Sequence, residues 1–183
     1  MKFKKTPLDG AFTIEMEPLG DERGFFGRIF CSKEFTERGI EPKIVQANNS
    51  RSAHKYTLRG LHYQLPPMQE SKLVRCIKGS VYDVILDIRP QSKTFGQSFG
   101  AELTETNRKM MFVPKGFAHG FLTLTKDSEV IYFVSEYYSK EHERGIRWND
   151  PSFSICWPEH PIVISQRDQQ HPNYSPEYHQ NHF

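Results

Sequence analysis

An arginine and a histidine lie three residues apart about a third of the way along the chain, in the run Leu58-Arg59-Gly60-Leu61-His62-Tyr63-Gln64. A histidine side chain titrates near pH ~6.5, so His62 suits general-base chemistry around neutrality. Arg59 adds a fixed positive charge, and Gly60 relaxes the backbone where a ligand or a neighbouring strand must come close. A single histidine in an apolar run is more often a core residue, so a catalytic role depends on groups elsewhere in the chain.

Four residues further along the chain would complete a site that removes a proton next to a carbonyl group. A carboxylate bonded to the other ring nitrogen of His62, either Asp168 or Asp83, would fix its tautomer. Lys72 could stabilise a developing oxyanion, and Tyr132 could return a proton from the opposite face. Each residue also has a structural explanation, since Tyr132 has the pattern of a core aromatic and the charged residues that of surface groups.

Metal sites and nucleotide sites are recognised by different sequence motifs. The run Pro114–His119 resembles the second cupin signature, in which a glycine forms a turn and a histidine points into a barrel. Metal-binding cupins add two closely spaced histidines and a glutamate, whereas His62 is followed by Tyr63 and Gln64, so no metal site is predicted. The chain has no Walker or GxGxxG loop, so a nucleotide would be bound by side chains, with arginines as anion ligands and aromatic residues such as Phe26 stacking on the base.

Composition predicts one packed globular domain over residues 1–183, since 37% of the residues are hydrophobic and 13% aromatic. A formal net charge of +2 without a basic run argues against nucleic-acid binding. No apolar run approaches the ~20 residues of a membrane span, and the N-terminus lacks the apolar segment of a signal peptide, which predicts a cytoplasmic protein with no membrane contact. The three cysteines include no CxxC pair, so reduced, buried thiols are expected at Cys31, Cys76 and Cys156.

Short apolar segments separated by Gly, Pro, Asn and Asp predict strands and almost no helix. The predicted strands are one or two within Phe3–Met16, then Phe25–Phe30, Val45–Ser50, Lys72–Lys78, Val81–Ile88, Gln97–Leu103, Met110–Val113, Gly120–Leu124 and Glu129–Tyr137. Many short strands at a spacing of about ten residues are typical of an antiparallel sandwich or barrel.

Three local features accompany the strands. Ser32–Arg38 is predicted as a short helix with Ser32 as its N-cap and Gly39 as its stop. The strands Lys72–Lys78 and Val81–Ile88 are predicted to pair through a tight turn, with acid among apolar residues on one face of the second. The polar tail from residue 166 to 183 is expected to wrap the surface or to end in a short helical turn.

Several further motifs follow one another in order along almost the whole chain. They are Asp21 to Phe26, Gln46-Ala47-Asn48, Leu58 to Gln64, Lys72 to Arg75, Asp83-Val84, Asp87-Ile88-Arg89, Ser92 to Gly96, Pro114 to Phe121, Glu143 to Ile146 with Asp150-Pro151, Ile155 to Pro158 and Ser165 to Asp168. Together they resemble the dTDP-4-dehydrorhamnose 3,5-epimerase family over about residues 3–172, leaving a tail at 173–183. The resemblance implies an all-β, cupin-like jelly roll with a few short peripheral helices, and a homodimer that needs no metal or cofactor.

The resemblance also implies roles for individual residues. His62 would be the base, held by Asp168 and near Asp83, while Lys72 faces the C4 oxygen of the sugar and Tyr132 donates a proton on the other face. The nucleotide sugar, most often dTDP-linked, would be bound by Arg23, Phe26, Arg28, Gln46, Asn48, Arg59, His119 and Glu143. The usual reaction of the family inverts C3 and C5 of dTDP-4-dehydro-6-deoxy-D-glucose and gives dTDP-4-dehydro-L-rhamnose.

Two positions depart from the family pattern, since Arg28 and Phe133 stand where many members have Glu and Lys. Relatives that share this appearance include enzymes of other deoxysugar pathways, so an epimerase acting at C3 or C5 alone on a related nucleotide sugar is the alternative. A sugar-binding jelly roll without turnover would be expected to lack one of the catalytic residues, and all of them are present. A metal-dependent cupin oxygenase is a third hypothesis, which metal analysis of the purified protein would test.

Overall fold

A computed structural model describes residues 1–179 of the chain, and strands dominate it. The strands are β1 (Lys2–Lys5), β2 (Phe12–Glu15), β3 (Leu19–Asp21), β4 (Gly24–Phe26), β5 (Gln46–Ser52), β6 (Thr57–Gln64), β7 (Lys72–Lys78), β8 (Ser80–Asp87), β9 (Ser98–Thr104), β10 (Lys109–Val113), β11 (Phe117–Thr123), β12 (Ser128–Val134), β13 (Glu143–Gly145) and β14 (Val163–Ile164). The helices are α1 (Ser32–Thr36), α2 (Gln166–Gln169) and α3 (Pro176–His179). No helix among the described residues is both long and apolar enough to cross a membrane.

The strands form two large sheets and one separate hairpin. The first sheet has the order β1-β2-β10-β7-β12-β5, and the second has the order β13-β6-β11-β8-β9 with β14 beside β6. Every pairing is antiparallel except that of β14 with β6. The hairpin of β3 and β4 pairs with neither sheet within the described residues. This arrangement confirms the all-β prediction with a few short helices.

The predicted pairing of Lys72–Lys78 with Val81–Ile88 is wrong. Both segments are strands, but β7 lies between β10 and β12 in the first sheet, whereas β8 lies between β11 and β9 in the second. Gly79 connects them with φ of +74°, and a Cβ there would lie 2.4 Å from Thr125 Oγ1. The glycine therefore carries the chain from one sheet to the other, and both faces of β8 find apolar partners.

Three apolar clusters fill the layers. Alternate residues of β8 contribute to two different clusters. Val81 and Ile85 pack with Val74 of the first sheet, whereas Val84 and Leu86 pack against the C-terminal segment around Ile146. The first of these clusters therefore lies between the sheets and the second on the outer face of the second sheet. The third surrounds Ile14, Phe35, Ile40, Leu73, Met110 and Phe112 on the outer face of the first sheet.

The N-terminal segment differs from the sequence prediction in two details. Helix α1 ends at Thr36, and its N-cap is Cys31, without a side-chain hydrogen bond, so the predicted cap at Ser32 is wrong. Gly39, with φ of +72°, ends this turn of chain as predicted. The strand that begins after the turn at residues 21–24 ends at Phe26 and does not continue to residue 30.

The cysteine prediction is correct for pairing and only partly correct for burial. All three thiols are free; Cys76 is buried, Cys31 is half-buried and Cys156 is exposed. Burial raises the pKa of the Cys76 thiol to about 11, so this thiol stays protonated and unreactive around neutrality.

Candidate active site

An irregular pairing of β6 with β11 brings Arg59 and His62 to the same cavity. Residues three apart on a regular strand point to opposite faces. Here His62 lies opposite His119 and Arg59 opposite Phe121, so β6 carries one more residue than β11 and the alternation resets. A Cβ on Gly60 would lie 2.6 Å from the Cα of Gly120, so only glycine fits this close approach of the two strands.

Two adjoining cavities, of about 460 Å³ and 240 Å³, share His62, Lys72 and Tyr132 in their linings. His62 lies on β6 of the second sheet, whereas Lys72 and Tyr132 lie on β7 and β12 of the first. Lys72 pairs with Val134, two residues along β12 from Tyr132, so the lysine and the tyrosine point to the same face. A bound molecule therefore meets the imidazole on one wall and the ammonium and phenol on the facing wall.

Asp168 holds the imidazole of His62. Its Oδ1 lies 2.7 Å from His62 Nε2, and its Oδ2 accepts a hydrogen bond of 3.2 Å from the Gly60 N–H. Helix α2 presents Asp168, whose own N–H donates to the N-cap hydroxyl of Ser165. With Nε2 bonded to the carboxylate, Nδ1 is the ring nitrogen left to accept a proton.

The carboxylate of Asp168 is strongly stabilised in its charged form. Burial raises the pKa of Asp168, but the neighbouring imidazoles of His171 and His62 and the Gly60 N–H outweigh burial and hold the pKa below its usual range. A charged carboxylate in this position would stabilise the imidazolium if His62 took a proton.

Asp83 belongs to a second histidine. Its Oδ2 lies 2.8 Å from Nε2 of His119, which neighbours His62 across the β6–β11 pair. Asp83 is fully buried, and its Oδ1 has no hydrogen-bond partner among the described residues. Residue types alone left Asp168 and Asp83 as alternative carboxylates for His62, and the family resemblance named Asp168; the structure pairs Asp168 with His62 and places Asp83 against His119.

Lys72 and Tyr132 lie close to a carboxylate that the sequence analysis did not identify. Lys72 Nζ lies 3.1 Å from Glu70 Oε1 and 3.4 Å from the backbone oxygen of His62. The other carboxylate oxygen of Glu70 accepts a hydrogen bond from Gln64 Nε2. Burial, followed by the charge of Glu70, raises the pKa of the Tyr132 phenol. Tyr132 is therefore kept protonated at neutral pH.

Polar side chains line the far end of the smaller cavity. Glu143 accepts a hydrogen bond of 2.6 Å from the Tyr138 hydroxyl and forms an ion pair with Arg167. Burial raises the pKa of Glu143, but Arg167 and Tyr138 outweigh burial and lower it overall. On the edge strand β5, Gln46 Nε2 donates to Asn48 Oδ1 at 2.8 Å.

Arg59 is held at the rim of the larger cavity. Its Nε donates to Ser52 Oγ and its Nη2 to the backbone oxygen of Arg51, both at 3.0 Å. The guanidinium is therefore oriented by β5 while it lines the cavity. Together with Arg167 it gives this wall two fixed cations, which suit an anionic ligand.

Three predicted binding residues do not line the cavities of their own chain. Arg23 and Phe26 lie on the exposed β3–β4 hairpin, where Arg23 forms an ion pair with Asp21. Arg28 follows the hairpin and bonds Glu34 on α1 at 3.0 Å. All three are exposed residues within a single chain.

The residues that sequence reasoning missed are Glu70, Tyr138 and Arg167. Glu70 stands two positions before Lys72 and Arg167 stands beside Asp168, so each was close in sequence to a residue already chosen. Glu70 precedes β7, which begins at Lys72, so no strand pattern identified it. Tyr138 follows β12 and carried no local signal.

Within the described part of the chain, one cluster has side chains arranged so that they could hold a metal ion. The ligand atoms of His62, Asp168 and His171 all lie within 4.8 Å of one another. This cluster includes the His62–Asp168 pair.

Comparison with known proteins identifies the family of this chain. The model of the family described as dTDP-4-dehydrorhamnose 3,5-epimerase matches residues 5–175. The chain belongs to this family. The epimerase of Shigella flexneri is 44% identical over 169 residues, which cover 92% of this chain and 93% of the relative.

Solved structures of 3,5-epimerases agree with the fold described above. The enzyme of Elizabethkingia anophelis superposes with a TM-score of 0.91 and 39% identity, covering 95% of this chain and 96% of that one. The enzyme of Legionella pneumophila, solved in complex with dTDP-4-keto-L-rhamnose, gives a TM-score of 0.85 with 41% identity over 91% of this chain and 89% of that one. This 3,5-epimerase family member therefore has the cupin-like fold that the resemblance implied.

Proposed function

We propose that this protein catalyses the epimerisation of dTDP-4-dehydro-6-deoxy-D-glucose at C3 and C5, giving dTDP-4-dehydro-L-rhamnose. The observation that carries the proposal is the position of His62 and Tyr132 on facing sheets around one cavity, with Lys72 beside the tyrosine. Inversion of a carbon requires removal of a proton from one face and its return to the other. A base and an acid on opposite walls can perform both steps on a sugar held between them.

The first step is proton removal. Nδ1 of His62 takes the proton from a carbon next to the C4 ketone, and the electron pair of the C–H bond moves to the C4 oxygen. Asp168 stabilises the imidazolium through its 2.7 Å contact with Nε2. The ammonium of Lys72 stabilises the negative charge that develops on the enolate oxygen. Stabilisation of this kind, in a site shielded from water, is usually the largest single contribution to the rate.

The second step is reprotonation from the other face. The Tyr132 hydroxyl donates its proton to the carbanion carbon, and the phenolate regains a proton from solvent, to which the imidazolium also releases its own. The raised pKa of Tyr132 keeps the proton available at neutral pH and makes the phenol a weak acid that donates only to a strong base such as an enolate. The same steps at the second carbon complete the double inversion.

The nucleotide part of the substrate is assigned to the polar lining. Arg59 and Arg167 supply cations for the diphosphate, and Gln46, Asn48, His119 and Glu143 supply hydrogen bonds. These proton transfers use side chains of the protein alone, so we expect neither a cofactor nor a resident metal to be required. We also assign the protein to the cytoplasm, which agrees with its three free thiols.

Proton exchange tests the proposed reaction. The protein is incubated with dTDP-4-dehydro-6-deoxy-D-glucose in deuterated water while the ring protons are followed by NMR. Deuterium at both C3 and C5, with a product that can be reduced to a rhamnose nucleotide, is expected. Label at one carbon alone would contradict double inversion and favour an epimerase of a single centre, and the absence of label in a folded protein would contradict epimerisation of this substrate.

We further propose that the protein is a homodimer in which the β3–β4 hairpin reaches the cavity of the partner subunit. Leu19 and Phe26 on this hairpin are 74% and 71% exposed, which is unusual for neighbouring large apolar side chains. Family resemblance assigns Arg23 and Phe26 to substrate binding, yet neither lines a cavity of its own chain. Placement of the hairpin in the partner's site would bury the apolar side chains and bring the arginine to the substrate.

Mixed dimers test this arrangement. Arg23→Ala and His62→Asn subunits are each expected to be inactive or weakly active alone. After the two are unfolded and refolded together, about a quarter of wild-type activity is expected, because half of the dimers are mixed and each holds one intact site. No recovery in mixtures whose mixed dimers are verified by mass spectrometry would contradict exchange of the hairpin, and a mass near 21.4 kDa in light scattering would contradict the dimer.

A further inference from the structure

A third side chain adjoins the His62–Asp168 pair and has no role in the proton transfers proposed above. His171 Nε2 lies 3.4 Å from Asp168 Oδ1, the same oxygen that lies 2.7 Å from His62 Nε2. The two imidazole rings meet edge to face, with centroids 5.5 Å apart. One carboxylate oxygen of Asp168 thus lies close to a nitrogen of each of two imidazoles.

The chain makes space for His171 at this point. Gly145 on β13 lies against the imidazole, and a Cβ there would be 2.2 Å from the ring, so any other residue would displace it. His171 Nε2 is buried and has no well-aligned hydrogen-bond partner among the described residues. Its near neighbour, Asp168 Oδ1 at 3.4 Å, is poorly aligned for a hydrogen bond, so a ligand placed between the two atoms would satisfy this nitrogen better.

We propose that His62, Asp168 and His171 form a binding site for one divalent transition-metal ion of the zinc type, and that its occupation inhibits the enzyme. Two imidazoles and a carboxylate are the donor set of many zinc sites. Ligands at ~2.0–2.1 Å in tetrahedral arrangement lie about 3.3 Å apart. The His171–Asp168 separation of 3.4 Å matches this value, and the His62–Asp168 contact of 2.7 Å must open slightly. The ligand atoms of the two histidines, which lie within 4.8 Å of each other, must adjust to the same spacing around the ion.

Inhibition follows from what the ion replaces. The ion would take the place of the proton between Asp168 and Nε2 of His62, and that proton would move to Nδ1 or be released to solvent. In the first case the basic nitrogen is occupied, and in both cases the ion draws electron density from the ring proposed to act as the base. The inhibitory part of the inference rests on the proposed function of His62, whereas binding of the ion does not.

An outer groove gives the ion its own approach. His171 lines a groove of about 440 Å³ together with Gly145, Arg167 and Pro172. His62 and Asp168 line the larger cavity, in which His171 has no part. The groove approaches the cluster from outside the substrate cavity, although Nε2 of His171 is itself buried, so bound zinc is expected to lower kcat more than it raises KM.

Binding is tested with zinc alone. Zinc affinity is measured by competition with a chromophoric chelator, and cobalt is added separately to record the absorption bands of a tetrahedral site. The variants are His171→Ala, His171→Gln and, as a matched control, His54→Ala, which removes an exposed imidazole. Circular dichroism and thermal unfolding verify that each variant is folded.

We expect one zinc ion per chain in the wild type and in His54→Ala, and an affinity lower by at least about tenfold in both His171 variants, since loss of an outer-shell partner alone costs about 10–100-fold. Equal zinc affinity in the folded His171 variants would overturn the proposed site. So would a cobalt spectrum that is octahedral in the wild type and unchanged by substitution of His171.

Inhibition is measured separately, with each variant referred to its own turnover without metal. Zinc is expected to inhibit the wild type reversibly, with recovery on adding EDTA, and to inhibit the His171 variants at concentrations at least about tenfold higher. Zinc bound through His171 without any change in turnover would overturn the inhibitory role. Zinc bound through His171 in a wild type that shows no epimerase activity would support the site and contradict the proposed function.

Discussion

Two histidine–aspartate pairs lie side by side in the cavity, and they are built differently. His62 and His119 are opposite each other on β6 and β11, with Nε2 at 2.7 Å and 2.8 Å from their carboxylates. The side chain of His62 is 32% exposed, whereas that of His119 is 9% exposed. One imidazole is thus open to a ligand and the other is almost enclosed.

The two carboxylates also differ, in how many partners stabilise them. Asp168 comes from α2 and is supported by the Gly60 N–H as well as by imidazoles, which keeps it charged. Asp83 comes from β8, the strand beside β11, and has one oxygen without a partner among the described residues. A base needs access to its substrate and a charged carboxylate behind it, whereas a binding group needs a fixed orientation. Similar contact distances are therefore compatible with the two different roles proposed for these histidines, which differ in the exposure of the imidazole and in the stabilisation of the carboxylate charge.

The largest effect is expected when each of the two histidines is replaced in turn. His62→Asn is expected to slow deuterium exchange at every reacting carbon by at least ~10²–10⁴-fold, because asparagine cannot act as a base near neutrality. His119→Asn keeps His62 and its carboxylate, so exchange is expected to continue, with a raised KM for the nucleotide sugar. Both rates are measured by NMR in deuterated water, on variants whose circular dichroism matches the wild type.

The opposite pattern would exchange the roles of the two pairs. If His119→Asn abolished exchange while His62→Asn preserved it, the base would be His119, supported by Asp83. Equal loss in both variants would show that neither histidine can be assigned to binding alone.

Several strand positions could be predicted from the sequence because they depend on local patterns, although β6 (Thr57–Gln64), which carries Arg59 and His62, was not among the predicted strands. The predicted segment Lys72–Lys78 coincides with β7 to the residue, since turn residues bound it and few alternatives compete. Strand pairing could not be predicted in this way. Alternation in β8 reveals its two faces but not that both are covered, and so the transfer of the chain to the second sheet at Gly79 was missed.

The candidate site shows the same limit. Residue types suited to proton transfer were visible in the sequence, and the resemblance placed His62, Lys72 and Tyr132 together, as the cavities do. Residue types alone left the choice between Asp168 and Asp83 open, and only the resemblance named Asp168, because the pairing depends on a helix that packs against β6 from more than a hundred residues away. His171 had no motif of its own, and only the space left by Gly145 reveals it.

A smaller effect is expected when the carboxylates are exchanged for amides. Asp168→Asn removes the charge behind His62, so kcat is expected to fall by about 10–100-fold, as for other groups that orient a catalytic imidazole. Asp83→Asn alters the orientation of His119, so KM is expected to rise while kcat changes little. Steady-state kinetics on both variants separate the two parameters. A fall in kcat for Asp83→Asn as large as that for Asp168→Asn would show that both pairs act in proton transfer.

The smallest effect is expected on the stability of the protein in acid. It tests the charge of Asp168 separately from the hydrogen bond that Asp168 forms with His62. Because the folded protein lowers the pKa of this carboxyl, the folded state holds fewer protons than the unfolded state in the acid range. The stabilisation is therefore fully present above the ordinary pKa of an aspartate, near ~3.9, and is lost as the pH falls through the lower folded value. For a buried carboxylate it amounts to about 2 kcal/mol in the free energy of unfolding.

Asp168→Asn removes this term, so the wild type should be the more stable protein at pH 6, and the difference should shrink between about pH 4 and pH 2. Urea unfolding at a series of pH values measures it. Asp127→Asn is the matched control, because Asp127 also has a lowered pKa, from its surface ion pair with Arg51, yet lies in solvent where screening makes such pairs weak. A difference for Asp168→Asn that stays constant down to pH 2 would contradict a charged, stabilised carboxylate behind His62, and its support of the base would then rest on the hydrogen bond alone.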